Sequence, residues 1–180
     1  TCNNGRKAQI VNFNINYVTE RLGKSLVKIY SKLIFNYVTS LKERGSKPFN
    51  IIIEEAHRYV QNDIDSDVLG YNIFERIAKE GRKYGILLGL ISQRPSEISE
   101  TTLSQCNNFI IFKMTHPTDI AYIKKVVPFM SEENTEKMKS ILPGNALCFG
   151  TAFKMPLLVK FEYPDPAPQS DNVNLGSVWF

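Results

Sequence analysis

Short apolar runs of strand length alternate along this chain with longer segments whose apolar residues recur every three or four positions. That alternation predicts an α/β fold with a largely parallel sheet flanked by helices. Residues 8–15 read as a first strand, with Ile10, Val11, Phe13 and Ile15 at its apolar positions. A helix is expected over 22–43, where Leu26, Tyr30, Leu33, Tyr37 and Leu41 share one face, flanked by Val27, Ile34 and Val38, and Gly45 and Pro48 end it. Residues 50–55, Asn-Ile-Ile-Ile-Glu-Glu, form an apolar strand that stops at two acids, the pattern of a central strand buried on both faces. A polar loop over 61–67 leads to a helix over 68–80, with Leu69, Ile73 and Ile77 on one face. The turn at 81–85 then enters a second buried strand, 86–92.

Arg94-Pro95 opens a short helix near 96–104, and 108–113 reads as a strand. Helices follow over 117–126 and 131–140, with a turn at Pro143-Gly144. Residues 145–149 and 156–161 are expected to pair as an antiparallel hairpin through 150–154. The tail from Tyr163 to Gln169 holds Pro164, Pro166 and Pro168, so it reads as an extended arm. Its tip, Val178-Trp179-Phe180, is too apolar to stand in water and is expected to dock on the same domain or on a neighbouring subunit. One domain over 1–162 and an arm over 163–180 are therefore expected, with no internal repeat.

Composition narrows the class. Hydrophobic residues make up 43% of the chain, yet no apolar run reaches the roughly 20 residues of a membrane-spanning helix, so no membrane association is expected. A formal charge of +4 and a pI near 8.9 permit an acidic partner such as nucleic acid without demanding one. Cys2, Cys106 and Cys148 form no CxxC pair and no cluster with His57 or His116, which argues against a zinc site and for a reducing cytoplasm. The chain starts at Thr1 without an initiator Met or a signal-like segment, as expected of a fragment of a longer protein.

The chemistry concentrates at strand ends. In P-loop ATPases, an apolar strand ending in two acids uses the first to orient magnesium through its water and the second to polarise the attacking water. Here those acids are Glu54 and Glu55; the same dipeptide also fits a strand simply leaving the core. Gln93, after the next strand, can hydrogen-bond both a γ-phosphate oxygen and the lytic water, or be an ordinary loop residue. Arg82 precedes that strand, at the end opposite the acids, where it can reach a neighbour's nucleotide but not its own; alternatively Arg82 and Lys83 balance a helix dipole. Gly23-Lys24-Ser25 matches the end of GxxxxGK[ST], but Val18 stands where the first glycine belongs, so the match reads as coincidence and these residues as the start of a helix. His57 and Arg58 can contact nucleotide, a partner or only the local backbone, and His116 reads as a loop residue.

Three segments in order, Ile51-Ile-Ile-Glu-Glu-Ala-His-Arg58, Ile77-Ala-Lys-Glu-Gly-Arg-Lys-Tyr-Gly85 and Ile91-Ser-Gln-Arg-Pro95, resemble the HerA branch of the HerA/FtsK P-loop ATPases. The resemblance runs from the strand at Ala8 to the tail with Trp179 and implies a RecA-like core, ATP and Mg2+ as cofactors, and a cytoplasmic homo-hexamer that moves along double-stranded DNA with a nuclease or defence effector. By position it implies Glu54 for the metal, Glu55 for the water, Gln93 as sensor, Arg82 offered to the adjacent subunit, and Arg94 as a further nucleotide contact. The family's phosphate-binding loop and N-terminal β-barrel have no counterpart in these residues, so this stretch alone is not expected to hydrolyse ATP. A non-catalytic ring scaffold that assembles an effector enzyme, and a secretion or conjugation pump, are the alternatives. The loop 61–67 and the pair Lys124-Lys125 are candidate DNA contacts, the first weakened by its acids and the second equally a solvated helix face.

Overall fold

The computed structural model describes residues 8–61, 71–127 and 130–167. The chain divides into two compact units, 1–106 and 107–180, a boundary that falls inside the single domain expected over 1–162. Cys2, most of the loop 61–67, Leu69, and the arm's tip with Trp179 lie outside the described residues.

The first unit is built on a parallel strand pair. Helix α1, Glu20–Thr39, precedes strand β1, Phe49–Ile53; helix α2, Ile73–Glu80, leads through a short turn of 3-10 helix, Gly81–Tyr84, into strand β2, Ile86–Leu90. β1 and β2 pair in parallel, from Phe49 opposite Ile86 to Ile53 opposite Leu90. Helix α2 starts where the Asn72 side chain accepts from the amides of Phe74 and Glu75, and it buries Ile73, Phe74 and Ile77 completely. Each of these buried side chains contributes about 1.5–3 kcal/mol over exposure. At the end of α2, a Cβ on Gly81 would lie 3.1 Å from the Ile86 carbonyl and 3.3 Å from the Ile77 side chain, so the helix and β2 approach as closely as they do because residue 81 has no side chain. A further 3-10 turn, Pro95–Glu97, and helix α3, Glu100–Ser104, complete the unit; the expected continuous helix is broken at Ser99, whose hydroxyl caps α3 through the Thr102 amide.

Three expectations are corrected here. Residues 8–15 form no strand: Ile10 is 88% exposed, Val18 closes a turn onto the Ile15 carbonyl, and none of the described strands lies alongside to supply the hydrogen bonds that β-prone residues require. Helix α1 buries Gly23, Ser31, Phe35 and Val38 and leaves Tyr30, Leu33 and Tyr37 exposed, a different face from the one the large side chains suggested. Tyr37 meets the Phe49 ring edge-on at 6.1 Å from the helix flank. Finally, the strand pair is buried on one face only, with Ile52 of β1 66% and Leu87 of β2 61% exposed while Ile53 and Ile86 are buried.

The second unit holds strand β3, Asn108–Ile111, helices α4, Pro117–Val126, and α5, Glu132–Ser140, and the hairpin strands β4, Asn145–Gly150, and β5, Leu157–Lys160. β4 is central, antiparallel to both β3 and β5, and buries Ala146, Leu147, Cys148 and Phe149. The expected hairpin is thus observed, and β3 joins it with Phe109 stacked on Phe149 at 5.4 Å. Residues 163–167 are exposed without regular structure. Among the described residues no helix is long and apolar enough to cross a membrane.

Candidate functional site

Parallel pairing brings the carboxyl ends of β1 and β2 to one edge, and two backbone hydrogen bonds extend the pairing beyond the strands: Ile91 donates to the Ile53 carbonyl and Ala56 to the Ile91 carbonyl, both at 2.9 Å. Between them the chain must leave the sheet abruptly. Glu55 makes that turn with φ 50° and ψ 42°, the one non-glycine residue with positive φ among those described. Such a conformation costs on the order of 1–3 kcal/mol and is held here by the surrounding hydrogen bonds. The Arg58 amide then donates to the Glu55 carbonyl at 2.9 Å, closing the short 3-10 turn Ala56–Arg58.

The turn points Glu55 at the segment after β2. The Gln93 amide donates toward the Glu55 carboxylate at 3.5 Å, and His57 Nδ1 lies 3.4 Å from the other carboxylate oxygen. The same His57 nitrogen is 3.1 Å from the Ser92 hydroxyl, which also accepts from the Arg94 amide at 3.0 Å. Glu54 is exposed beside this cluster, with no hydrogen-bond or ion-pair partner among the described residues. The Arg94 guanidinium is exposed and paired with Glu97 at 3.1 Å. Glu54, Glu55, Gln93 and Arg94 are therefore gathered at one strand edge.

Arg82 is not part of that gathering. It lies exposed in the turn before β2, one strand length, about 17 Å for five residues, from the edge that carries Glu55. Gly23, Lys24 and Ser25 sit inside α1, where Lys24 is engaged by Gln61 at 3.2 Å and Glu20 at 3.3 Å and the Ser25 hydroxyl bonds the Arg21 carbonyl. Their amides belong to a helix and do not form a phosphate-cradling loop. Of the candidate DNA contacts, Lys124 is ion-paired with Glu132, and only Gln61 of the loop 61–67 is described. Burial pushes the thiols of Cys106 and Cys148 up, which keeps both in the un-nucleophilic form. No cluster of three metal-ligating side chains occurs among the described residues. The contact of His57 with Ser92 was not foreseen; its only trace in the sequence is a hydroxyl residue standing directly before Gln93 at a strand end.

Comparison with known proteins adds three findings. No family model matches the chain. The DNA double-strand break repair helicase HerA of Sulfurisphaera tokodaii is 35% identical over 158 residues, 84% of this chain and 32% of that protein. The helicase of the same name from Pyrococcus furiosus is 38% identical over 113 residues, 63% of this chain and 20% of that protein. The chain spans about a quarter to a third of the length of the first curated relatives it matches, 27%, 26% and 32%. Among solved structures, the DNA-packaging ATPase of Sulfolobus turreted icosahedral virus superposes with a TM-score of 0.57 at 22% identity, over 74% of this chain and 61% of that one. The genome packaging NTPase of Sulfolobus turreted icosahedral virus 2, in complex with ATP-gammaS, superposes with a TM-score of 0.58 at 16% identity, over 83% and 65%. The α/β architecture is that of a RecA-like core.

Proposed function

This chain belongs to the HerA branch of the HerA/FtsK ATPases, and on that premise we propose that the complete protein hydrolyses ATP to move along double-stranded DNA, as a cytoplasmic homo-hexamer serving a nuclease or defence effector. The observation that carries the reading is the contact of Gln93 with Glu55 at the adjoining carboxyl ends of two parallel strands, where α/β sheets bind their ligands. A carboxylate on a strained turn and an amide that can touch both a water and a phosphate oxygen are two of the groups that in-line attack on a phosphoryl group uses.

Glu55 accepts the proton side of the attacking water, and Gln93 orients that water while sensing the terminal phosphate. An exposed carboxylate beside them, without an ion-pair partner among the described residues, suits magnesium, which keeps most of its own water and takes one or two acids plus phosphate oxygens, so Glu54 would hold it. The bound ion would neutralise charge on the phosphate oxygens. Arg94, already opposite Glu97, is the further nucleotide contact at this edge. Arg82 serves the nucleotide of the adjacent subunit, since a strand length separates it from its own.

The test is ATP hydrolysis by the complete protein with and without linear double-stranded DNA at one salt concentration, for wild type, Glu55→Gln and Arg82→Ala. Turnover stimulated by DNA and lost in both variants supports the motor. An intact ring without turnover in the wild type would make the protein an assembly platform instead.

A further inference from the structure

We propose that His57 is a positioning residue that fastens the Glu55 carboxylate to the Ser92–Gln93 turn, so that acid and sensor are held as one unit before nucleotide arrives. Three observations carry this. A single nitrogen, His57 Nδ1, faces both Ser92 Oγ at 3.1 Å and Glu55 Oε2 at 3.4 Å. Two acceptors before one ring nitrogen are satisfied together when that nitrogen carries the proton and shares it between them. The His57 side chain is 13% exposed against 47% for Glu55, so the imidazole is the fixed member and the carboxylate the member it fixes. Ser92, in turn, is tied to the backbone of the sensor segment because its hydroxyl accepts from the Arg94 amide at 3.0 Å. Displacement of β2's end by bound nucleotide would therefore reach Glu55 through His57 as well as through Gln93.

The inference rests on reading Glu55 as the acid that polarises water, and its test separates the two. In the complete protein, His57→Ala is expected to lower kcat for ATP roughly 10- to 100-fold while KM stays within about 2-fold, the signature of a misplaced group rather than a lost binding contact. His57→Asn, whose amide nitrogen comes near the place of Nδ1, restores most of kcat, whereas His57→Gln, which reaches toward the place of Nε2, does not. Ser92→Ala added to His57→Ala costs little more, because both changes cut one connection. A KM that rises as kcat falls, or an asparagine variant no better than alanine, overturns the proposal. A readout independent of turnover is the imidazole 15N spectrum of histidine-labelled protein by solid-state NMR, with the His57 signals assigned by their loss in His57→Asn. The proton is expected on Nδ1 in the wild type and on Nε2 in the double variant Glu55→Ala/Ser92→Ala, which removes both acceptors. A wild type with the proton on Nε2 alone, or an unchanged spectrum in the double variant, sinks the proposal even if the protein turns over ATP, and the expected result sustains it even if the ATPase reading fails.

Discussion

Gln93 reaches across from the end of β2 to the Glu55 carboxylate, 3.5 Å from amide nitrogen to oxygen, although 38 residues separate the two in sequence. The contact is long for a hydrogen bond, and a water seated beside it, within reach of the amide and the carboxylate, would be held by both. Replacement of Gln93 with alanine is expected to lower ATP turnover by about 100-fold, in the range of a lost water-orienting group. Affinity for ADP, measured by calorimetry, should change by less than about threefold, since ADP lacks the terminal phosphate that Gln93 senses.

Arg82 stands one strand length from the acid edge of its own subunit, and mixing experiments exploit that separation. Arg82→Ala alone should reduce turnover by about 10³-fold or more, as for arginines that neutralise a transferring phosphoryl group. Combining Arg82→Ala subunits with Glu55→Gln subunits should restore measurable ATP hydrolysis, because some interfaces then pair an intact Glu55 with an intact Arg82. An arginine acting within its own subunit gives no recovery on mixing.

Lys24 is occupied by Glu20 and Gln61 on the flank of α1. If its glycine-lysine-serine context were a phosphate-binding loop, Lys24→Ala would abolish nucleotide binding. The expected outcome is unchanged affinity and a loss of stability below about 1 kcal/mol, the scale of an ion pair open to solvent, read from the denaturant midpoint.

Gly150 closes the β4 edge with φ 129°, and a Cβ there would lie 2.1 Å from the Asn107 carbonyl oxygen and 2.6 Å from Asn108 Cα. Backbone atoms cannot yield as a flexible side chain would. Gly150→Ala should therefore destabilise the second unit by more than about 1 kcal/mol and loosen the β3–β4 ladder. Hydrogen exchange is the measurement: the amides of Phe109 and Phe149, a hydrogen-bonded pair of that ladder, should exchange faster, while those of β1 and β2 keep their rates.

How much of this was legible in the sequence depends on whether the deciding contact was local. The bounds of α4, Pro117–Val126, are the expected ones, since proline at the first helical position marks a start in the sequence itself. The hairpin β4–β5 was likewise marked by its glycine-bearing connection. The buried face of α1 was not, because Gly23 and Ser31 carry no apolar signal of their own and the exposed Tyr30, Leu33 and Tyr37 repeat at an equally helical spacing. Residues 8–15 had the composition of a strand, but a strand needs a neighbour, and composition cannot supply one. At the site, the three strand-end motifs were legible as motifs. The bridge from His57 to Ser92 was not, since it spans 35 residues and exists only once β1 and β2 are paired in register.

The left-handed turn at Glu55 sets the fold and the chemistry against each other at a single position. Glycine would occupy that backbone conformation without strain, and the same substitution would delete the carboxylate. A selection for heat resistance that ignored turnover would thus drift toward Glu55→Gly, enriching sturdier molecules with nothing to activate water, and laboratory evolution of this protein has to score activity in every round to keep residue 55 acidic.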